Sequence, residues 1–303
     1  MAIPRGEALI ASAEKELKRW FTTASQKNEN AAEFYKKAAN SFKSGKDLVR
    51  AASCFDLSAQ CYIKADSQHD AAGMYQEAAK ALKASGDADQ SQMFFVKCIG
   101  IYEAQGKFSR AAKLYEDQAK NDSTAGDLDT AIENFRRAAE MYETEDRPSA
   151  ATKNFEQVAI LLSTAPREDY GEASALFLKV GNTYLEKRLT ASSAKKHFMK
   201  AGLCMLADKD AVGARARLDK FKDADYTFER SREGQFLEKV IECVETFDAA
   251  ALVGEITNYD AITTLDRWMT GILLRLKNSL EGSAVEGGAD GAEGGGEESD
   301  EIC

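Results

Sequence analysis

Lys113 and Lys153 stand 40 residues apart, and Lys43 and Lys83 repeat the same interval. Lys46 and Lys107 each follow a glycine in a predicted turn. Cations recurring at a constant interval suit one chemistry: they meet an elongated acidic partner and supply steering and orientation. The plain alternative is ordinary solvated lysine. Nucleic acid is the generic polyanion, but the chain has a net charge of −10 and no basic–aromatic interleaving for base stacking. A protein partner fits better. Trp20 and Phe21 follow Lys15, Lys18 and Arg19. Two aromatics beside three bases either dip weakly into an anionic membrane surface or pack against the first hairpin. Both readings stay open.

Chemistry of the bond-breaking kind finds little support. No phosphate-cradling GxxxxGK[ST], HExxH or GxSxG occurs. The carboxylates fall mostly at helical surface spacings, and none is singled out as a general acid or base. The six cysteines form no CxxC pair, and His69 and His197 are the only histidines. The thiols read as small core residues in a reducing cytosol. No catalytic residue, metal site, cofactor or small-molecule substrate is expected. Nor is a membrane span, since no run of eighteen apolar residues occurs. The charged N-terminus lacks an apolar signal region, so secretion is not expected.

The elements that must carry the lysines announce themselves by repetition. An aromatic recurs at Tyr35, Phe55, Tyr75, Phe95, Tyr115, Phe135, Phe155, Phe177 and Phe198, at intervals of 20 and then 22 and 21. Alanine mostly stands four residues before it, a small residue four after, and a large apolar one seven after. Those spacings lie on one face of an α-helix. Turn signals fall between the beats at Gly45-Lys46, Gly86-Asp87, Gly106-Lys107, Gly126-Asp127 and Asp146-Arg147-Pro148. Only three prolines interrupt the whole chain. The expected fold is all-α: a right-handed α-solenoid of tetratricopeptide-like helical hairpins, repeating about every 40 residues, with a C-terminal helical bundle as cap.

Four segments follow. Residues 1–30 hold a first helix over about 6–20 and a loop running from Thr22 to Asn30. Residues 31–210 form the solenoid. Residues 211–281 form the bundle, with helical patterns at 212–222, 233–247, 249–257 and 261–280. Residues 282–303 carry seven of the acids, seven of the glycines and no base, which predicts a disordered tail. The tail thus holds most of the net negative charge, leaving the remainder nearly neutral.

One segment is specific enough to suggest a family. NYDAITTLDRWMTGILLRLKNSL, residues 258–280, resembles the C-terminal helix of soluble NSF attachment proteins of the α type. The matching pattern is Tyr259-Asp260, Leu265-Asp266-Arg267-Trp268 and Leu273-Leu274-Arg275. KAANSFK at 37–43, SQHDAAGMYQEAAKALK at 67–83 and GKFSRAAKLYE at 106–116 extend the resemblance over most of residues 10–281.

That resemblance implies a non-enzymatic adaptor. It would bind the SNARE four-helix bundle, of syntaxin-type and related SNAREs, and recruit and stimulate the hexameric AAA+ ATPase NSF, which disassembles SNAREs after membrane fusion. It implies a cytoplasmic protein peripherally associated with membranes. Lys46, Lys83, Lys107, Lys113, Lys153 and Arg232 match SNARE-contacting positions. Glu242 and Glu245 match acids facing NSF, with Thr246 where the family has a further acid. Glu297, Glu298, Asp300 and Glu301 before Ile302 match an acidic end with a penultimate leucine that stimulates the ATPase. Trp20 and Phe21 stand where the family has a richer hydrophobic loop, so membrane contact is expected to be weak. The alternative is a tetratricopeptide-like scaffold or co-chaperone for other protein partners. A 40-residue period argues against its carboxylate clamp, which needs 34-residue repeats.

Overall fold

The computed structural model describes residues 2–186 and 188–289. Among them are fourteen α-helices and no strand. They are α1 (Ala2–Leu17), α2 (Ala24–Ser44), α3 (Leu48–Lys64), α4 (Gln68–Ser85), α5 (Ala88–Ala104), α6 (Phe108–Ala125) and α7 (Leu128–Thr144). After these come α8 (Pro148–Leu162), α9 (Tyr170–Leu185), α10 (Ala191–Ala207), α11 (Ala211–Ala224), α12 (Arg232–Glu245), α13 (Ala249–Asp260) and α14 (Arg267–Ala289).

One local device ends most of these helices. A residue in the left-handed region closes the helix, and the next residue donates its N–H to the carbonyl five positions back. Asp47 to Phe42, Asp87 to Leu82, Asp127 to Asp122, Asp210 to Met205 and Asp248 to Cys243 are examples. The same aspartates then accept from the third residue onward, Asp47 from Arg50 and Asp87 from Gln90, and so start the following helix. Glycine serves the left-handed position at Gly86, Gly106 and Gly126. At the first turn it is Lys46, not Gly45, that adopts positive φ. Gly45 is needed for another reason, since a Cβ there would meet Ile3 of α1 at 3.2 Å.

The beat aromatics point inward as their spacing predicts. Tyr35, Phe55, Tyr75, Phe95, Phe135, Phe155, Phe177 and Phe198 are buried, and Tyr115 is half-buried. The small residues let helices close on one another. A Cβ on Gly181 of α9 would lie 2.6 Å from the Phe198 ring of α10.

The chain forms two compact units. Among the described residues, the first comprises residues 2–121 and 140–147, the second residues 122–139, 148–186 and 188–289. In the first, each of α1 to α4 packs on its successor in sequence, the nearest-neighbour order of stacked hairpins. In the second, α8 to α14 also pack in order, but α10 additionally meets α12 and α14. Its burial is correspondingly all-round, from Ala194 through Ala207. That central helix turns the C-terminal part into a bundle.

Two regions differ from the sequence expectation. The loop expected at Thr22 to Asn30 is mostly helix, because Thr23 accepts from the Gln26 N–H and starts α2 at Ala24. The first helix correspondingly stops at Leu17. The last helix begins at Arg267, where Asp266 accepts from the Met269 N–H, and it runs to Ala289, past the predicted tail boundary at 282. An established ladder extends by one hydrogen bond per residue, so a strong helix carries a weak sequence some way with it.

Candidate functional site

The basic positions of the first unit come from helix ends and one helix face. Lys46 is exposed in the left-handed turn after α2, Lys83 is exposed in the last turn of α4, and Lys107 is half-buried just before α6. Lys43 reaches Glu77 of α4 at 3.0 Å. Lys113 is exposed on α6 but not isolated. It lies 3.2 Å from Asp117 and 3.4 Å from Glu116. Slight desolvation works against its charge, and the bonds to Asp117 and Glu116 outweigh this and raise its pKa above the ordinary lysine value. It is therefore a firmly charged group whose field is shared with two neighbours.

In the second unit Lys153 is exposed on α8. Arg232 is half-buried and tied inward: it donates to Thr263 Oγ1 and, at 3.1 Å, to the Tyr259 carbonyl. Its guanidinium also covers the Tyr259 ring at 5.0 Å. This residue clamps the start of α12 to the turn after α13.

The acids at the far end of α12 are unequal. Glu242 is exposed. Glu245 accepts two hydrogen bonds from the Arg215 guanidinium of α11, at 2.6 and 3.1 Å. That pairing lowers the Glu245 pKa and raises that of Arg215. Glu297, Glu298, Asp300, Glu301 and Ile302 lie outside the described residues.

Trp20 and Phe21 sit in the bend after α1, 89% and 67% exposed. Their rings meet edge to face at 5.9 Å, and the Arg19 guanidinium lies 5.4 Å from the Phe21 ring. Packing against the first hairpin is not what they do; they stand in solvent as a pair beside a cation.

Sequence reasoning missed the polar centre of the second unit. Lys200 on α10 is only 2% exposed and pairs with Glu156 of α8 at 3.1 Å. Its ammonium lies 5.3 Å from both the Phe177 and Trp268 rings. Trp268 of α14 donates to Ser163 Oγ at 2.8 Å. His197 is buried between Tyr184 and Phe177, and burial lowers its pKa to about 4, against the pull of Glu156. Lys200 looks like any surface lysine in sequence. It is buried because four helices cover α10.

Among the described residues no group of His, Cys, Asp and Glu is placed to hold a metal ion. None of their helices is long and apolar enough to cross a membrane. The five described cysteines are buried free thiols. Burial pushes Cys54 up to about 11 and Cys98 to about 12. Such groups are poor nucleophiles.

The family model for soluble NSF attachment proteins, SNAP, matches residues 4–281. Similar curated proteins include the alpha-soluble NSF attachment protein of Dictyostelium discoideum, 33% identical over 40% of this chain and 42% of that one. The vesicular-fusion protein SEC17 of Coprinopsis cinerea is 34% identical over 39% of this chain and 40% of its own length. The beta-soluble NSF attachment protein of Bos taurus is 34% identical over 42% of each chain. The chain thus spans about two fifths of the length of these relatives. Among solved structures, BtubC (BKLC) from P. vanneervenii aligns at TM-score 0.37 and 15% identity, over 75% of this chain and 93% of that one. That likeness is too distant to argue from. The family match begins within α1, runs through both units and ends within α14: the chain belongs to the soluble NSF attachment protein family.

Proposed function

We propose that this chain is an adaptor in vesicle trafficking and membrane fusion. It grips an assembled SNARE four-helix bundle and recruits and stimulates the NSF hexamer, doing no catalysis itself. The observation that carries this reading is the family match over residues 4–281. The exposed lysines at positions the family resemblance marks, Lys46, Lys83, Lys113 and Lys153, support it. In this reading they lie against the acidic rod and set its orientation, and Lys107 adds to them. Arg232 contributes by holding the bundle together rather than by reaching out. The ATPase is met by Glu242 and Glu245 and by the acidic end from Glu297 through Ile302. Trp20 and Phe21 give a weak peripheral membrane contact. The working site is the cytoplasmic face of fusing membranes.

The test is reconstitution with purified SNARE complex, NSF and ATP, with and without this protein. Disassembly that does not depend on added protein would end the proposal. More narrowly, Lys113→Glu with Lys153→Glu should weaken SNARE binding about tenfold at low salt. The loss should shrink as ionic strength rises, because exposed charges are screened. Unchanged pull-down at low salt would remove these lysines from the mechanism.

A further inference from the structure

Nine residues among those described adopt a left-handed backbone. Three are glycine, and Lys46, Asp66, Asp146, Glu168 and Lys209 are charged. The ninth is Phe247, between α12 and α13, with φ of 53° and 64% of its surface in water. A large aromatic suits neither that backbone nor that exposure. Its turn is otherwise the ordinary one, with Asp248 donating to the Cys243 carbonyl and capping Ala251. Neither the turn nor the core therefore explains the side chain. Of the nine, Phe247 alone joins a left-handed backbone to an exposed large apolar side chain, and such a position marks a place used for something else.

A second exposed apolar residue stands near it. Val212, in the first turn of α11, is 83% exposed. It precedes Arg215 by three residues and so shares its face of the helix. Arg215 in turn holds Glu245, two residues before Phe247. The Arg215–Glu245 pair therefore ties the start of α11, which carries Val212, to the end of α12, which leads into Phe247, with its charges neutralised internally. Around them stand exposed acids: Asp208 and Asp210 beside Val212, Glu242 and Asp248 beside Phe247. Lys209 is the exposed cation between Asp208 and Asp210. The patch is two apolar projections inside an acidic rim.

We propose that Phe247 and Val212 are apolar anchors of a docking surface for a basic protein domain with an apolar recess. Resting on the function proposed above, that domain belongs to the recruited ATPase. The acids steer a positively charged face to this end of the bundle, and the two side chains enter it and slow its release. Anchors of this kind, ringed by charge, hold most of an interface's affinity. Phe247 follows Thr246, where the resemblance implies a further acid.

The experiment immobilises the assembled SNARE bundle, adds the full-length protein, and then adds the NSF hexamer. Phe247→Asn is the decisive variant, because asparagine favours the left-handed turn and should hold or raise the melting temperature. Val212→Ser, on an exposed first turn, is the second. Both should bind the SNARE bundle as the unaltered protein does, yet recruit NSF about tenfold less well, the scale of a modest hot spot. This loss should persist at high salt, whereas the loss in Glu242→Gln should shrink. Full NSF recruitment by both variants overturns the anchor proposal and leaves the adaptor reading standing. Failure of the unaltered protein to recruit NSF overturns both. A change in self-association with NSF recruitment intact would assign the patch to a second copy and also overturn the proposal.

Discussion

Lys200 and His197 show how much a single buried group depends on its neighbours. The Lys200 ammonium keeps its charge in the interior through Glu156 and two ring faces. Removing it leaves a partly buried carboxylate without its partner. Lys200→Met should destabilise the protein by about 2–4 kcal/mol, and Glu156→Leu in the same chain should recover most of that. Urea denaturation of the two variants checks it, and equal stability of the single and double variants would refute it. His197 gives a pH signature. Its imidazole is buried neutral, with Glu156 of α8 and Lys196 and Lys200 of α10 as the charged groups around it. Because its pKa falls to about 4 in the folded chain, protons bind the unfolded chain first. Its contribution is complete above the ordinary histidine value near 6.5 and is lost as pH falls towards about 4, on the order of 3 kcal/mol. His197→Phe keeps the stacking and removes an Nδ1 that finds no hydrogen-bond partner. It should match or exceed the unaltered protein at pH 7 and show a flatter decline below pH 6.5.

Helices are where the sequence was most readable. The 20-residue beat located the interior face of α2 to α10, and one repeating turn device keeps the 20-residue register from α2 to α8. The C-terminal patterns gave α11, α12 and α13 to within a residue or two at most ends. What the beat could not give is which charges meet across helices. Glu156 and Lys200 are 44 residues apart and Arg215 and Glu245 are 30 apart; periodicity says which way a side chain points, not what it finds there. Phe247 was equally invisible, since its oddness is a backbone angle. At this scale glycines give a paired prediction. Gly181→Ala would press a methyl into the Phe198 ring and should cost about 1–3 kcal/mol. Gly100→Ala, at an exposed position of α5 with nothing within 4 Å, should stabilise by about 0.5–1 kcal/mol. Thermal melts of the two variants should therefore move in opposite directions.

At the scale of the whole molecule, charge is divided along the chain rather than spread over it. Residues 290–303 carry six acids and no base, and by the proposed function they act on the ATPase alone. Deleting them should leave SNARE binding and the melting temperature unchanged and reduce ATP turnover by NSF. A parallel loss of SNARE binding would show that the two roles are not separable. The units also differ in how their parts depend on one another. In the first, each of α2 to α5 packs on the helix before it. In the second, Trp268 reaches back 105 residues to Ser163, and α14, which buries Met269, Ile272, Leu273 and Leu276, packs on α10. During synthesis, then, the early hairpins close as they leave the ribosome, while the second unit waits for nearly its last helix. Until α14 emerges, α10 shows an uncovered apolar face and Lys200 lacks its tryptophan. Chaperone demand should fall late in translation, on a nascent chain whose first hundred residues are already folded.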